Sequence, residues 1–95
     1  MAAYVIVHNE IFDATLFEEF RRQVGATIEA SGGRYLVRGG NTEVIDGDWN
    51  PERIIIVEFD SAEQAKSWLT SPEYLAIREI RVKSADANVV IVEGV

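Results

Sequence analysis

Three side chains that could bind an anion or move a proton stand on segments rich in β-branched residues: His8, Arg38 and Glu58. Arginine can hold a carboxylate or enolate oxygen with its N–H donors, and glutamate or histidine can accept a proton. A chain reversal within residues 46–51 would bring Arg38 near Glu58, with His8 at the corresponding end of the neighbouring strand. We therefore predict an anion-binding or acid–base cluster at one end of a sheet, beside Gly39-Gly40, where the backbone can approach a ligand closely.

The same three residues allow a structural interpretation. Buried charges are usually paired, so Arg38 and Glu58 could form a structural ion pair that only holds the hairpin, and a dimer of the chain, together. A lone histidine at a strand end is more often a hydrogen-bonded residue than a general base. Both interpretations stay open, with Arg38 as the ligand-binding candidate and Glu58 or His8 as the catalytic candidates.

Two aromatic residues flank a predicted break between helical pieces at Ser71-Pro72. Trp68 and Tyr74 could form a pocket wall where a helix meets the sheet edge, because both have an apolar body and a polar tip. The alternative is core packing against Phe20 and Phe59.

Composition excludes several classes of site. The 95 residues contain no cysteine and one histidine, which removes a disulfide scaffold, a cysteine nucleophile and a zinc site built from thiolates or several histidines. Nine basic residues stand against 16 acidic ones, giving a net charge of −7 that argues against nucleic-acid binding. No phosphate loop or dinucleotide motif occurs, and we expect no cofactor and no metal.

No apolar run approaches the ~20 residues of a membrane span, and the N-terminus lacks signal-peptide features. We expect a cytoplasmic protein with no membrane or nucleic-acid partner.

The elements that position these residues follow from periodicity. Apolar residues recur every four positions after Asp13 or Thr15, either of which could cap a helix that ends at Ser31-Gly32-Gly33. A second helix begins after Asp60 or Ser61, restarts at Ser71-Pro72 and runs to about Val82. The strands are expected at Tyr4–Glu10, Arg34–Gly40 (continuing through Thr42–Asp46), Arg53–Phe59 and Asn88–Glu93.

This order predicts an α+β fold, a ferredoxin-like βαββαβ sandwich in a single domain spanning residues 1–95. Four antiparallel strands would carry the helices on one face, with the first and third strands in the middle. The third and last strands are nevertheless apolar on both faces, as Ile54-Ile55-Ile56-Val57 and Val89-Val90-Ile91-Val92 show. Something must cover the second face, and we expect a second copy of the chain, packed sheet to sheet as a homodimer.

Motifs along nearly the whole chain resemble the bacterial domain-of-unknown-function family 1330, within the dimeric α/β-barrel superfamily. The motifs are Gly32-Gly33-Arg34-Tyr35-Leu36-Val37-Arg38-Gly39-Gly40, Gly47-Asp48-Trp49, Val57-Glu58-Phe59, Ala65, Trp68, Ser71-Pro72-Glu73-Tyr74 and Val92-Glu93-Gly94. The resemblance implies a ferredoxin-like subunit that pairs sheet to sheet. Relatives in the superfamily include cofactor-independent monooxygenases, isomerases, dehalogenating enzymes and haem-handling proteins, and fold alone does not choose among them.

The functional hypothesis is a homodimer that binds a small, anionic or oxygen-rich organic molecule in a cleft of each subunit. Its expected lining is Arg38, Glu58, His8, Trp68 and Tyr74. One alternative is a cofactor-independent isomerase, lyase or monooxygenase-like enzyme that uses Glu58 or His8 as proton acceptor, with Arg38 stabilising an anion. The other is a structural dimer module without a ligand.

Overall fold

A computed structural model describes all residues, 1–95. Its elements, in chain order, are β1 (Ala3–Ile11), α1 (Ala14–Ala30), β2 (Arg34–Arg38), β3 (Ile54–Phe59), α2 (Ala62–Leu69), α3 (Pro72–Val82) and β4 (Ala85–Glu93). The predicted order of strands and helices is confirmed, including the break between α2 and α3.

The four strands form one antiparallel sheet in the order β2-β3-β1-β4, so the first and third strands lie in the middle, as predicted. This is the α+β, ferredoxin-like arrangement. The helices α1, α2 and α3 are each too short and too polar to span a bilayer.

Side-chain caps fix where each helix begins. The Asp13 carboxylate accepts a hydrogen bond from the Leu16 amide at 3.0 Å, so Asp13, and not Thr15, caps α1. Ser61 and Ser71 cap α2 and α3 in the same way, accepting from amides three residues further along. Each cap satisfies a backbone donor that the first helical turn leaves unpaired.

All three helices pack on one face of the sheet, where they bury the apolar core. Val5, Val57 and Phe59 of the central strands are fully buried there. The apolar stripe of α1 covers them through Phe17, Phe20, Val24 and Ile28.

The opposite face has no helix over it and carries an apolar row that crosses all four strands. Val37 pairs with Ile56, Ile56 with Ile6, and Ile6 with Val90. Val90 is 52% exposed. The structure thus bears out the sequence pattern of strands that are apolar on both sides.

The chain between β2 and β3 differs from the prediction. Residues 42–46 are predicted to continue the second strand, but β2 ends at Arg38 and residues 40–53 form no regular structure. Gly39 adopts a positive φ of 68°, a left-handed conformation that turns the chain away from the sheet. A bulge between Tyr35 and Val37 also shifts the β2 register by one residue.

Candidate functional site

A cleft of about 500 Å³ lies between α1 and the β2–β3 edge of the sheet. Its floor is apolar and comes from the inward stripe of α1 and from Ile55 of β3. Its walls are strongly cationic, because five arginines and only two glutamates line it: Arg21, Arg22, Arg34, Arg38, Arg53, Glu18 and Glu29. A cationic cleft is unexpected in a chain with a net charge of −7.

Three of these arginines have carboxylate partners. Arg21 and Arg22 pair with Glu18 and Glu19 on the exposed side of α1, and Arg34 pairs with Glu58. Arg38 and Arg53 have no carboxylate within salt-bridge distance. The cleft therefore keeps two positive charges that no acidic side chain of this chain pairs.

The bulge in β2 brings Arg38 into the cleft. Tyr35 pairs with Val57 and Arg38 pairs with Ile55, so both side chains lie on the helix-covered face although they are three residues apart. The Arg38 guanidinium stacks over the Tyr35 ring at 4.0 Å from its centroid. Stacking holds the guanidinium plane but leaves the N–H groups at its edge free to bind a carboxylate in bidentate fashion.

Arg53, the residue before β3, reaches the same end of the cleft. Its backbone is held in the sheet, since its carbonyl accepts a hydrogen bond from the Asn9 amide at 3.1 Å. Its side chain passes over Gly39, where a Cβ would lie only 2.4 Å from Nη1. The buried Nε of Arg53 has no hydrogen-bond partner, and a buried donor without a partner is costly.

The Tyr35 hydroxyl completes this group. Burial raises the pKa of the Tyr35 phenol, and the charges of Arg38 and Arg53 oppose that effect. The phenol therefore stays protonated at neutral pH and can donate a hydrogen bond. At the mouth of the cleft, the hydrogen bond from Arg21 lowers the pKa of Glu18, which stays ionised. We call Tyr35, Arg38 and Arg53 the arginine–tyrosine cluster.

The predicted meeting of Arg38 and Glu58 is wrong. Glu58 pairs with Arg34 in the sheet, and its carboxylate lies 2.8 Å from the Arg34 guanidinium. Glu58 also pairs with Tyr4 on the helix-free face, at the opposite end of the strands from Arg38. The connection from Arg38 to Ile54 is longer than the predicted turn, so the strand register pairs Glu58 with Arg34 and not with Arg38. The bulge then moves Arg38 to the other face of the sheet.

His8 lies at the same end of the sheet as Arg38, as predicted, but on the opposite face. It pairs with Ile54 and is 8% exposed. The Glu52 amide donates to His8 Nε2 at 3.3 Å, and the Trp49 indole contacts the imidazole edge to face at 5.4 Å. Nε2 is thus an acceptor here, and His8 anchors the 40–53 segment to the helix-free face.

Trp68 and Tyr74 belong to the core and do not line the cleft. They are 3% and 4% exposed, with ring centroids 4.8 Å apart. The Trp68 indole N–H donates to Thr27 Oγ1 at 2.9 Å, which satisfies its polar tip inside the core. The core-packing alternative therefore describes their positions, against Phe59 and Phe20.

Sequence reasoning missed Tyr35 and Arg53. Strict alternation along a strand would put Tyr35 and Arg38 on opposite faces, and Arg53 enters the prediction only as the first residue of the strand Arg53–Phe59. A usable signal was the pair of positively charged residues at the two ends of the 39–53 segment, since the ends of a chain reversal must meet. No group of three or more acidic or histidine side chains is arranged to hold a metal ion.

Solved structures share this fold. A protein of unknown function from Rhodopseudomonas palustris, RPA0582, superposes with a TM-score of 0.81 at 15% identity, covering 99% of this chain and 82% of its own. SnoaB from Streptomyces nogalater, a cofactor-independent oxygenase, gives a TM-score of 0.71 at 10% identity over 99% and 93% of the two chains. A dimeric ferredoxin-like protein of unknown function from Bacteroides fragilis gives 0.62 at 20% identity over 98% and 96%.

The chain is thus a protein of ferredoxin-like fold. Residues 2–95 match the family described as "Domain of unknown function (DUF1330)", and the chain belongs to that family. No curated protein matches the sequence.

Proposed function

We propose that this protein binds a small organic anion in the cleft between α1 and the β2–β3 edge. The observation that carries the proposal is the arginine–tyrosine cluster, in which Arg38 and Arg53 have no carboxylate partner and Arg53 Nε is buried without an acceptor. An anion held by these guanidinium groups would supply the missing acceptors. Charge-assisted hydrogen bonds of this kind are among the stronger polar contacts in proteins.

The cluster is pre-organised for such a ligand. Stacking on Tyr35 orients Arg38, and backbone hydrogen bonds at Gly39 and Arg53 fix the two ends of the 39–53 segment. A site that is already ordered loses little side-chain entropy on binding. The cleft is also more enclosed than the shallow depression along the exposed side of α1.

Of the five residues predicted to line the ligand site, only Arg38 lines this cleft. Glu58, His8, Trp68 and Tyr74 do not line the cleft. An enzyme that uses Glu58 or His8 as proton acceptor beside Arg38 has no geometric support, since both face the other side of the sheet. Two structural neighbours carry oxygenase names, SnoaB and a putative antibiotic biosynthesis monooxygenase from Nitrosomonas europaea, but at such low identity they speak for the fold alone.

We also propose that the protein is a homodimer through the helix-free face of the sheet. The apolar row from Val37 to Val90 gives that face a continuous patch suited to sheet-to-sheet packing. The Bacteroides neighbour of the same fold is dimeric. The cleft lies on the other face, so each subunit would keep its own complete site.

The binding proposal is tested by two-dimensional ¹⁵N NMR with acetate and inorganic phosphate as probes at constant ionic strength. The Nε–H signals of Arg38 and Arg53 are expected to shift with each saturating anion. Backbone amide signals near the two arginines are also expected to shift. The double variant Arg38→Gln, Arg53→Gln should abolish these amide shifts, whereas Arg78→Gln on the exposed side of α3 should leave them unchanged. Shifts that are unaffected by the double variant would refute the site.

A further inference from the structure

We infer that the ligand of the cleft is an amphiphilic monocarboxylate, with its carboxylate on Arg38 and Arg53 and its apolar body along α1. This inference rests on the proposed function and adds the ligand's chemical class. It follows from how charge and apolar surface are distributed along the cleft.

The cleft is elongated, with the two free arginines at one end. Its α1 lining runs from Phe17 to Glu29, and the 11 residue steps from Glu18 to Glu29 correspond to about 16 Å of helix at ~1.5 Å per step. The chain turns back after α1 ends at Ala30, so β2 runs from Arg34 to Arg38 toward the start of α1. Arg53, which lies beside Gly39, is therefore at the same end as Arg38. One end of the cleft therefore carries the two unpaired positive charges, and the rest of the cleft extends from there along α1.

The middle of the cleft has an apolar lining. Val24 and Ile28, both almost fully buried, line it on α1, and the half-buried Ile55 and Tyr35 line it on the sheet. Gly25 lies between them on the helix, and a Cβ there would meet only the Tyr35 ring, at 4.0 Å. A glycine inside a helix costs stability relative to alanine, and here it leaves free space in the cleft. An alkyl or aryl group would gain favourable free energy by leaving water for this region.

The far end disfavours a second negative charge. Arg34 is engaged by Glu58 there, with Asp60 at 3.8 Å, while Glu29 has no cationic partner. A dicarboxylate long enough to span the cleft would place its second carboxylate near Glu29. The charge pattern thus selects a molecule with one anionic end, and the apolar floor selects against small anions such as phosphate or acetate.

The test is isothermal titration calorimetry of the full chain with octanoate, acetate, 1-octanol and octanedioate, backed by the NMR signals of Arg38 and Arg53. Octanoate should bind with one site per chain, at least about tenfold more tightly than each of the other three. Octanol lacks the charge, acetate lacks the body, and octanedioate carries the extra carboxylate.

Two variants separate the ends of the site. Gly25→Leu should weaken octanoate binding at least about tenfold while leaving the acetate-induced shifts of Arg38 and Arg53 intact. Gly25→Met provides a second, more flexible obstruction, and thermal melting shows that each variant is folded. Gly40→Ala is the matched control, since nothing lies within 4 Å of a Cβ there and the residue does not line the cleft.

The outcomes distinguish the two proposals. If acetate or phosphate binds to Arg38 and Arg53 as tightly as octanoate, or if octanedioate does, the monocarboxylate class is overturned while anion binding stands. If octanol binds as tightly as octanoate and the double variant Arg38→Gln, Arg53→Gln does not change octanoate affinity, the two arginines do not hold the carboxylate and the inference fails. If no anion perturbs the two arginines, the proposed function fails with it.

Discussion

Arg34, at the start of β2, and Glu58, near the end of β3, are cross-strand neighbours whose charged groups lie 2.8 Å apart on the helix-free side of the sheet. The Arg34 side chain is 56% exposed and that of Glu58 18%, so solvent screens part of their attraction. The pair fits a structural role at the sheet edge and takes no part in the proposed anion site, although Arg34 lines the far end of the cleft.

Glu58→Gln is therefore expected to reduce stability modestly and leave ligand binding unchanged. Exposed and half-exposed ion pairs contribute about 0.2–1 kcal/mol, and the loss should shrink as salt screens the pair. Urea unfolding at low and high salt measures it, with Glu43→Gln in the irregular segment as a control that has no ionic partner. A large loss of octanoate affinity in Glu58→Gln would contradict this assignment.

Gly39 and Gly40 offer a matched pair of substitutions beside Arg53. Gly39 has a φ of 68° and its Cβ would collide with the Arg53 guanidinium, whereas Gly40 meets neither obstacle. Gly39→Ala should lose about 1–2 kcal/mol, because a side chain in the left-handed region is strained, and should displace Arg53. Gly40→Ala should be close to neutral.

Chemical denaturation measures the stability of both variants, and the Arg53 Nε–H signal measures the displacement. Anion affinity should fall in Gly39→Ala only. Equal behaviour of the two variants would show that Gly39 has no part in positioning Arg53.

These residues also show how far the sequence could predict the molecule. Strand and helix order followed from local signals that the structure keeps: the four-residue apolar period of α1, the caps at Ser61 and Ser71, and strands apolar on both faces. Such signals depend on neighbours a few residues away. The fold could therefore be predicted nearly completely. The differences are the strand predicted for residues 42–46, the end of β2 at Arg38 and not Gly40, and the start of β4 at Ala85 and not Asn88.

The site could be predicted only in part, because it depends on one bulge. With strict alternation, Arg38 would share a face with Arg34; with one extra residue between Tyr35 and Val37 it shares a face with Tyr35. No residue type in that stretch marks the bulge. For Trp68, the sequence spacing is compatible with a place in a pocket wall and with a place in the core. The residue that accepts its indole hydrogen bond in the core, Thr27, lies 41 positions away on another helix.

Tyr35 predicts an alkaline loss of stability. Burial raises the pKa of its phenol above the ordinary value of 10.0, so the folded chain holds this proton to higher pH than the unfolded chain does. The resulting stabilisation is fully present below the unfolded pKa and is lost as pH rises through the folded pKa. Arginine stays charged throughout this range.

Denaturant unfolding on both sides of pH 10 should show this decrease in wild type and a smaller one in Tyr35→Phe. Octanoate should raise the pKa of Tyr35 further, because its carboxylate offsets the two arginine charges that lower it. Ultraviolet titration of tyrosinate ionisation, with and without octanoate, measures the shift. A ligand-induced shift that persists in Arg38→Gln, Arg53→Gln would place the carboxylate elsewhere.

Val90 and Leu75 provide the test of the homodimer, since both are about half exposed but lie on different surfaces. Val90 belongs to the apolar row on the helix-free face, and Leu75 lies on α3. In a sheet-to-sheet dimer, Val90→Glu would bury two carboxylates at the interface, and an unpaired buried charge is strongly unfavourable. Wild type and Leu75→Glu should sediment as dimers at micromolar concentration and Val90→Glu as a monomer, whereas a monomeric wild type would disprove the assembly. Because the cleft lies on the opposite face, a folded Val90→Glu monomer should still bind octanoate through Arg38 and Arg53.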